Sequence, residues 1–454
     1  MTTKPYPFQT EGVRLIEQFN GRCLLADSMG LGKTLQSLLY LHRNKDIRPA
    51  IVVCPASLKW QWEIEAEKHI GMLSEILEGR KSPTKQYRWF TPPLLIINYD
   101  ILKDWVPYLR GLNPKCVIFD EAHYLQSRSS QRTKAAQKLV AGMEHVLCLT
   151  GTPITNRPAE LWPILNILHP KTYPSFFQYA FRYCAPKKTY WGWDFRGAAR
   201  LPELHKKLHK EMMIRRLKED VMTQLPPKRR SVLLVDIANR KEYDHAERDF
   251  LGWLAKRDPS KLYGAARAEK MVRIGYLQRL VAKLKMNSVE KWIDNFLADT
   301  DEKLVLFGVH KAILNRLHDR YRAISVLVNG EVVGRRRQQA VDQFQGNKKT
   351  RMFLGNIKAA GVGLNLTAAS HGAFVEFGWT PGGVEQAIDR LHRIGQKKNV
   401  LWYFLVARNT LEEDHIKLLH EKQKVLKAAL DGKRNTGMDD LVDELIRRIQ
   451  KGKK

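Results

Sequence analysis

The segment Asp27-Ser28-Met29-Gly30-Leu31-Gly32-Lys33-Thr34 has the residue types needed to hold a chain of phosphates. Gly30 and Gly32 let backbone amides face phosphate oxygens, Lys33 can reach the β- and γ-oxygens, and Thr34 offers a hydroxyl to Mg²⁺ at a helix start. The usual consensus has glycine where this chain has Asp27. Further on, Asp120-Glu121-Ala122-His123 follows an apolar run. At the tip of a parallel strand, Asp120 is placed to hold a hydrated metal and Glu121 to polarise an attacking water. Read alone, the same tetrapeptide is an exposed acidic turn. Thr150, Gly151 and Thr152, stopped by Pro153, either link nucleotide state to a neighbouring surface or form a tight strand-end turn. Gln386–Gln396 reads as a helix running into a turn, with Arg390 and Arg393 three apart and so on one face. Such arginines either stabilise developing phosphoryl charge as fingers do or are surface charge. Together these residues give a candidate catalytic set of Lys33, Asp120, Glu121, Arg390 and Arg393, with Thr34 and Asp120 on the metal.

Elements that could position this set recur along the chain. Apolar, β-rich runs at 22–26, 50–54, 94–98, 116–119 and 145–149 are each followed by a turn and a helical pattern. Runs at 303–307, 323–328, 350–354, 373–377 and 400–406 repeat the arrangement. Strands apolar on both faces predict parallel sheets covered by helices on each side, hence two α/β lobes. Between them lies a helical, basic stretch carrying the aromatic-rich segments Tyr173–Tyr183 and Tyr190–Phe195. Leu225-Pro226-Pro227-Lys228 is the natural joint, since two prolines stop a helix and stiffen an extended link. The expected lobes are therefore 1–227 and 228–454, the second with long helices over 241–289 and a helical tail over 408–454. In that tail Leu441, Leu445 and Ile449 line one face.

With 454 residues the chain has material for about two or three domains. Apolar residues at 44% and charged residues at 27% exclude a wholly disordered chain. Lys and Arg number 77 against 47 Asp and Glu, a net +30 that favours polyanionic partners, nucleic acid before acidic membrane. Five widely spaced cysteines predict buried thiols and exclude a disulfide framework or zinc knuckle. There is no signal-peptide core and no apolar run long enough to span a bilayer, so an intracellular, non-membrane protein is expected.

In order and spacing, these motifs resemble the SWI2/SNF2 family of superfamily-2 helicase-like ATPases, over about 6–430. Pro7-Phe8-Gln9 resembles the family's nucleotide-facing motif, Asp27–Thr34 motif I, and Val53–Leu58 with Trp60, Trp62 and Glu63 motif Ia. Asn98-Tyr99-Asp100, Asp120–His123 and Leu149–Pro153 follow in the family order. Ile214–Val221 through Leu225–Lys228 resembles the stretch that separates this family from generic DEAH-type RNA helicases. Val305–His310, Leu354–Leu366, Phe377–Pro381, Gln386–Gln396 and Tyr403–Glu412 complete the match. Ser28 and Gly355-Asn356-Ile357 depart from the common pattern.

The resemblance implies two tandem RecA-like parallel-sheet lobes with helical insertions and a C-terminal bracing helical segment. It implies ATP and Mg²⁺ as cofactors, with Gln9 reading adenine and Asp27, Met29, Gly30, Leu31, Gly32, Lys33 and Thr34 binding ATP. Coupling is expected at His123, Thr150, Gly151, Thr152, Gly361 and Gln386, and DNA contact at Ser57, Lys59, Lys358, Asn365 and Thr367. Arg335-Arg336-Arg337 either contacts phosphate or is a solvated face, and Trp379 is expected to pack rather than wedge. The implied activity is translocation on double-stranded DNA, forked or protein-bound, by a monomeric motor without strand separation. A strand-separating DNA or RNA helicase and a scaffold with an ATP-gated clamp are the alternatives. A minimal motor of microbial or viral type, near the small fork-remodelling members, is expected. Its place would be the cytoplasm or nucleoid, or the nucleus in a eukaryotic or virus-directed setting.

Overall fold

The structure is a computed structural model and describes residues 3–83, 90–190, 192–222, 224–255, 265–332, 334–357 and 364–432. The chain divides into two compact units. The first, residues 3–225 with 422–432, is built on a seven-stranded sheet in the order β3-β4-β2-β5-β6-β1-β9. Its strands are β1 (Arg22–Leu25), β2 (Ala50–Cys54), β3 (Ser74–Ile76), β4 (Leu94–Asn98), β5 (Cys116–Asp120), β6 (His145–Leu149) and β9 (Met213–Ile214). All pairings in it are parallel. Every residue of β2, β4 and β5 is buried, as a sheet covered on both faces requires.

Register matters more for chemistry than strand count. Leu25 pairs with Leu149, and Leu149 with Asp120, so β1, β6 and β5 end level with one another. The loops that follow them leave from one edge of the sheet, where open α/β sheets place ligands. On the far side of β1, Met213 and Ile214 pair with Leu24 and Leu25, which brings Arg215 and Arg216 to the same edge. An antiparallel hairpin, β7 (Lys187–Thr189) with β8 (Gly192–Asp194), stands apart from this sheet.

The second unit, residues 226–421, has a six-stranded parallel sheet in the order β10-β15-β14-β11-β13-β12. These are β10 (Lys228–Val235), β11 (Leu304–Gly308), β12 (Ser325–Val328), β13 (Met352–Asn356), β14 (His371–Phe374) and β15 (Val400–Ala407). Trp402 fills the core between Phe307 and Phe374, with ring centroids 5.7 and 4.8 Å away. Gly372 makes room for it, since a Cβ there would meet the indole at 2.6 Å. Helices Arg240–Ala255, Ala265–Leu284 and Met286–Asp299 occupy the stretch expected to be helical over 241–289.

All ten strands read from the sequence are present within a few residues, and β3, β7, β8, β9 and β10 are additional. The structural cut falls at Leu225–Pro226, two residues before the expected one, and residues 422–432 count with the first unit. The helix Leu411–Leu430 explains the second difference, because its last turns place Leu426, Ala429 and Leu430 in the first unit's core. The expected helix through Leu441, Leu445 and Ile449 lies outside the described residues. All five cysteines are free and buried. No helix among the described residues is long and apolar enough to cross a membrane.

Candidate nucleotide site

The phosphate loop leaves β1 at Ala26 and enters the helix Lys33–Arg43. Gly30 and Gly32 have φ of 85° and 73°, left-handed conformations that glycine adopts without Cβ strain. Lys33 Nζ donates to the carbonyls of Asp27 at 2.7 Å and Ser28 at 3.4 Å, folding the ammonium back over the loop. Burial draws Lys33 below the usual lysine range, against the pull of Glu121, Asp27 and Asp120. Leu31 and Met29 are buried, and Met29 lies against Gly151, where a Cβ would stand 2.5 Å from the methionine Cγ. The glycine of the Thr-Gly-Thr turn is thus what lets the phosphate loop pack onto that turn.

Asp120 and Glu121 lie beside this loop. Trp62 Nε1 donates to Asp120 Oδ2 at 2.8 Å, the Glu121 N–H donates to Oδ1 at 2.9 Å, and the Tyr99 hydroxyl donates to the Asp120 carbonyl. Burial and the neighbouring Glu121 charge push the Asp120 carboxyl up to about 6. Glu121 has a φ of 49°, a left-handed conformation that costs a non-glycine residue roughly 1–2 kcal/mol. His123 Nδ1 stands 3.2 Å from Glu121 Oε2 and 3.3 Å from Thr150 Oγ1, and Thr150 Oγ1 accepts the Thr152 N–H. Glu121, His123, Thr150 and Thr152 therefore form one polar chain from the acidic pair to the Thr-Gly-Thr turn.

Beneath the loop is a cluster that the sequence reading did not assemble. Asp27 is fully buried, and its side chain pairs with Arg216 rather than facing the phosphate side. Arg216 donates to Asp27 through its backbone N–H, Nε and Nη2, to the Phe8 carbonyl through Nη1, and to Gln36 Oε1. Gln36 Nε2 donates to Asp27 Oδ2 and to the Leu31 carbonyl. Gln9 Nε2 donates to the same carbonyl at 3.2 Å, while its Oε1 accepts the Tyr6 N–H. Gly12 permits this crowding, since a Cβ would sit 1.9 Å from Gln36 Oε1. Arg215 adds bonds to the carbonyls of Ala26 and Gly151 and an ion pair with Asp431. A buried aspartate requires a cationic partner, but neither the burial of Asp27 nor the identity of Arg216 is written in the order of the residues.

In the second unit the arginines depart from expectation. The helix Pro381–Ile388 ends before them, so Arg390 and Arg393 lie in the following turns and share no helix face. Arg390 is 1% exposed and donates to the carbonyls of Gln386 and Leu364, while the Leu366 N–H donates to the Arg390 carbonyl. This side chain fixes the local turn. Arg393 is half-buried and donates to the Asp389 carbonyl. Gln386 is buried within its helix.

Of the residues assigned to DNA, Ser57 and Asn365 are exposed and Thr367 is half-buried, accepting from Gln345. Lys59 is a correction. It is 8% exposed and its ammonium donates to the Leu77 carbonyl and Glu78, which holds it inside the first unit rather than toward a strand of DNA. Lys358 and Gly361 lie outside the described residues, as does the Arg335 side chain. Arg336 is exposed, whereas Arg337 is buried. Trp379 stacks on His415 with centroids 3.8 Å apart and is exposed.

The donors at the first unit's edge fit a magnesium–triphosphate. A buried carboxylate next to a half-buried one, a threonine hydroxyl at a helix start, a lysine and glycine-shaped amides are oxygen-ligand and anion-binding chemistry. Thr34 and Asp120 would hold the ion. Among the described residues no group of three or more His, Cys, Asp or Glu could hold a metal unaided.

Residues 8–286 match the SNF2-related domain, and residues 285–395 match the helicase conserved C-terminal domain. The DNA annealing helicase and endonuclease ZRANB3 of Bos taurus is 35% identical over 449 residues, covering 96% of this chain and 41% of that one. The SWI/SNF-related matrix-associated actin-dependent regulator of chromatin subfamily A-like protein 1 of Xenopus laevis is 33% identical, covering 92% of this chain and 43% of that one. The chain thus spans about two-fifths of the length of these relatives. A solved Sulfolobus solfataricus SWI2/SNF2 ATPase core in complex with dsDNA aligns over 99% of this chain and 97% of that one, at 22% identity and a TM-score of 0.45.

Proposed function

The chain belongs to the SNF2-related family of DNA-dependent ATPases, and from that premise we propose that it is a motor that hydrolyses ATP to move along duplex DNA. The observation that carries the reading is the level ending of β1, β5 and β6, which gathers Lys33, Asp120, Glu121 and Thr150 at one sheet edge. In this reading Lys33 and the glycine amides bind the triphosphate, and Thr34 and Asp120 hold Mg²⁺, which offsets phosphate charge when bound. Glu121 accepts a proton from the attacking water, and the chain through His123 and Thr150 reports the state of the phosphate loop to the Thr-Gly-Thr turn. Arg393 supplies charge to the transferring phosphoryl group, and Arg390 positions its turn. The net charge of +30 supports a polyanionic track, and exposed Ser57 and Asn365 are the candidate backbone contacts.

Similarity to a DNA annealing helicase and to a chromatin regulator supports remodelling of DNA or of protein–DNA complexes, with a nuclear or nucleoid setting. Movement is tested by ATP-dependent displacement of a third strand from a triplex, run beside unwinding of an annealed strand. Triplex displacement without unwinding is expected. Unwinding with no triplex displacement would replace the translocase with a strand-separating helicase.

A further inference from the structure

The aromatic-rich segments of the first unit take no part in the nucleotide site. The helix Phe176–Tyr183 is followed by the β7–β8 hairpin, and together they carry a row of rings. Phe195 contacts Phe176, Phe177 and Phe181 with centroids 5.4, 5.8 and 5.6 Å away, and Phe181 meets Trp193 edge-on at 4.7 Å. The row is anchored at Phe176, which packs on Trp162 and lies under the Arg128 guanidinium at 4.2 Å. Away from that anchor it opens to solvent. Phe177 is 50% exposed, Phe181 45%, Trp193 46%, and Tyr190 at the hairpin turn 92%.

Charge around the row is predominantly positive. Residues 176–200 contain Arg182, Lys187, Lys188, Arg196 and Arg200 against Asp194 alone. Asp194 is committed to Arg196, and the nearby Glu203 to Arg182 and Tyr183. Lys188 pairs directly across the hairpin with Trp193, so both project from the same face. Exposed Lys187 extends the basic strand.

We propose that this hairpin and helix bind an unpaired DNA strand beside the duplex on which the motor works. Half-open rings beside lysines match what a single strand offers, which is accessible base faces and a line of phosphates. A duplex hides its base faces in the stack, and a protein partner does not favour lysine at the centre of its contact. The inference rests on the motor reading and sharpens it by naming the DNA structure preferred, a junction with an unpaired arm.

The test uses the full chain and two labelled DNAs, a blunt duplex and the same duplex with a short oligothymidine arm. Binding without nucleotide and stimulation of ATP hydrolysis are measured with each. The wild type is expected to bind the armed duplex more tightly. Tyr190→Ala and Trp193→Ala are each expected to weaken armed-duplex binding about fivefold or more, with blunt-duplex binding and stimulation unchanged. Trp193→Phe retains a ring and should keep most of the preference. Tyr190→Ala guards against a folding defect, because its ring is almost wholly in solvent. Equal affinity of the wild type for both DNAs, or equal losses on both in the variants, would overturn the proposal. An RNA arm bound as tightly as the DNA arm would overturn the assignment to DNA. Failure of either DNA to stimulate wild-type hydrolysis would count against the motor reading, while the arm preference in nucleotide-free binding would still decide this one.

Discussion

The two sheets present similar edges with opposite uses of their polar groups. At the first unit's edge, Lys33, Asp120, Glu121 and Thr150 gather after β1, β5 and β6, beside Gly30 and Gly32 in left-handed conformations. At the second unit's edge the polar groups are committed to holding the fold. Glu376 accepts from the backbone N–H groups of Val309 and His310 and meets the His310 ring, and Asn356 donates to the Val309 carbonyl. Fully buried Lys285 donates to both oxygens of Glu412 and to the Leu405 carbonyl. The same architecture therefore carries two different sets of polar groups, set by the residues that follow each strand.

A variant in the second unit tests whether that unit contributes chemistry at all. Arg393→Ala should lower maximal duplex-stimulated turnover about 10³-fold or more while leaving ATP binding within a few-fold, as loss of a transition-state cation does. Arg393→Lys should not restore it, because a point charge does not reproduce the planar fork. Steady-state kinetics beside nucleotide titration reads this, and wild-type turnover in Arg393→Ala would leave the second edge purely structural.

Lys33→Ala should weaken ATP binding by roughly 30-fold or more, from removing one partner of a buried charged contact. Titration with a fluorescent nucleotide measures it, and unchanged affinity would detach Lys33 from the phosphates. Arg216→Gln should raise KM for ATP about tenfold, since the phosphate loop and the segment at Phe8 lose their common anchor. A double variant with Asp27→Asn should be no worse than either single one, because the two groups act as a pair. Additive losses would separate them. Smallest in its effect on turnover is Lys285→Met, which should leave nucleotide affinity intact. It should cost about 3–5 kcal/mol of stability by stranding Glu412, read by urea unfolding.

What the sequence made legible was local. Gly30, Gly32 and Lys33 announce a phosphate loop by residue type, and all-apolar runs announce buried parallel strands. Long-range pairings were not legible. Met213–Ile214 is too short to register as a strand, yet it delivers Arg216 to Asp27. Lys59 reads as a surface cation because nothing in its neighbours foretells the Leu77 carbonyl that receives its ammonium. The residues after Ile388 continue a helical pattern without a breaker, and tertiary bonds from Leu366 and Arg390 turn the chain instead. In each case a distant backbone group, invisible in composition or periodicity, sets the outcome.

On the proposed reading, the carboxylate pair at the first unit's edge performs ATP hydrolysis under the control of duplex DNA. Glu121→Gln tests it most directly, with turnover and ATP affinity measured on one folded sample with and without blunt duplex. Glu121→Gln should bind ATP nearly as the wild type does and lose roughly 10²- to 10⁴-fold of duplex-stimulated turnover, because the amide cannot take the water's proton. Wild-type duplex-stimulated turnover in that variant would contradict it.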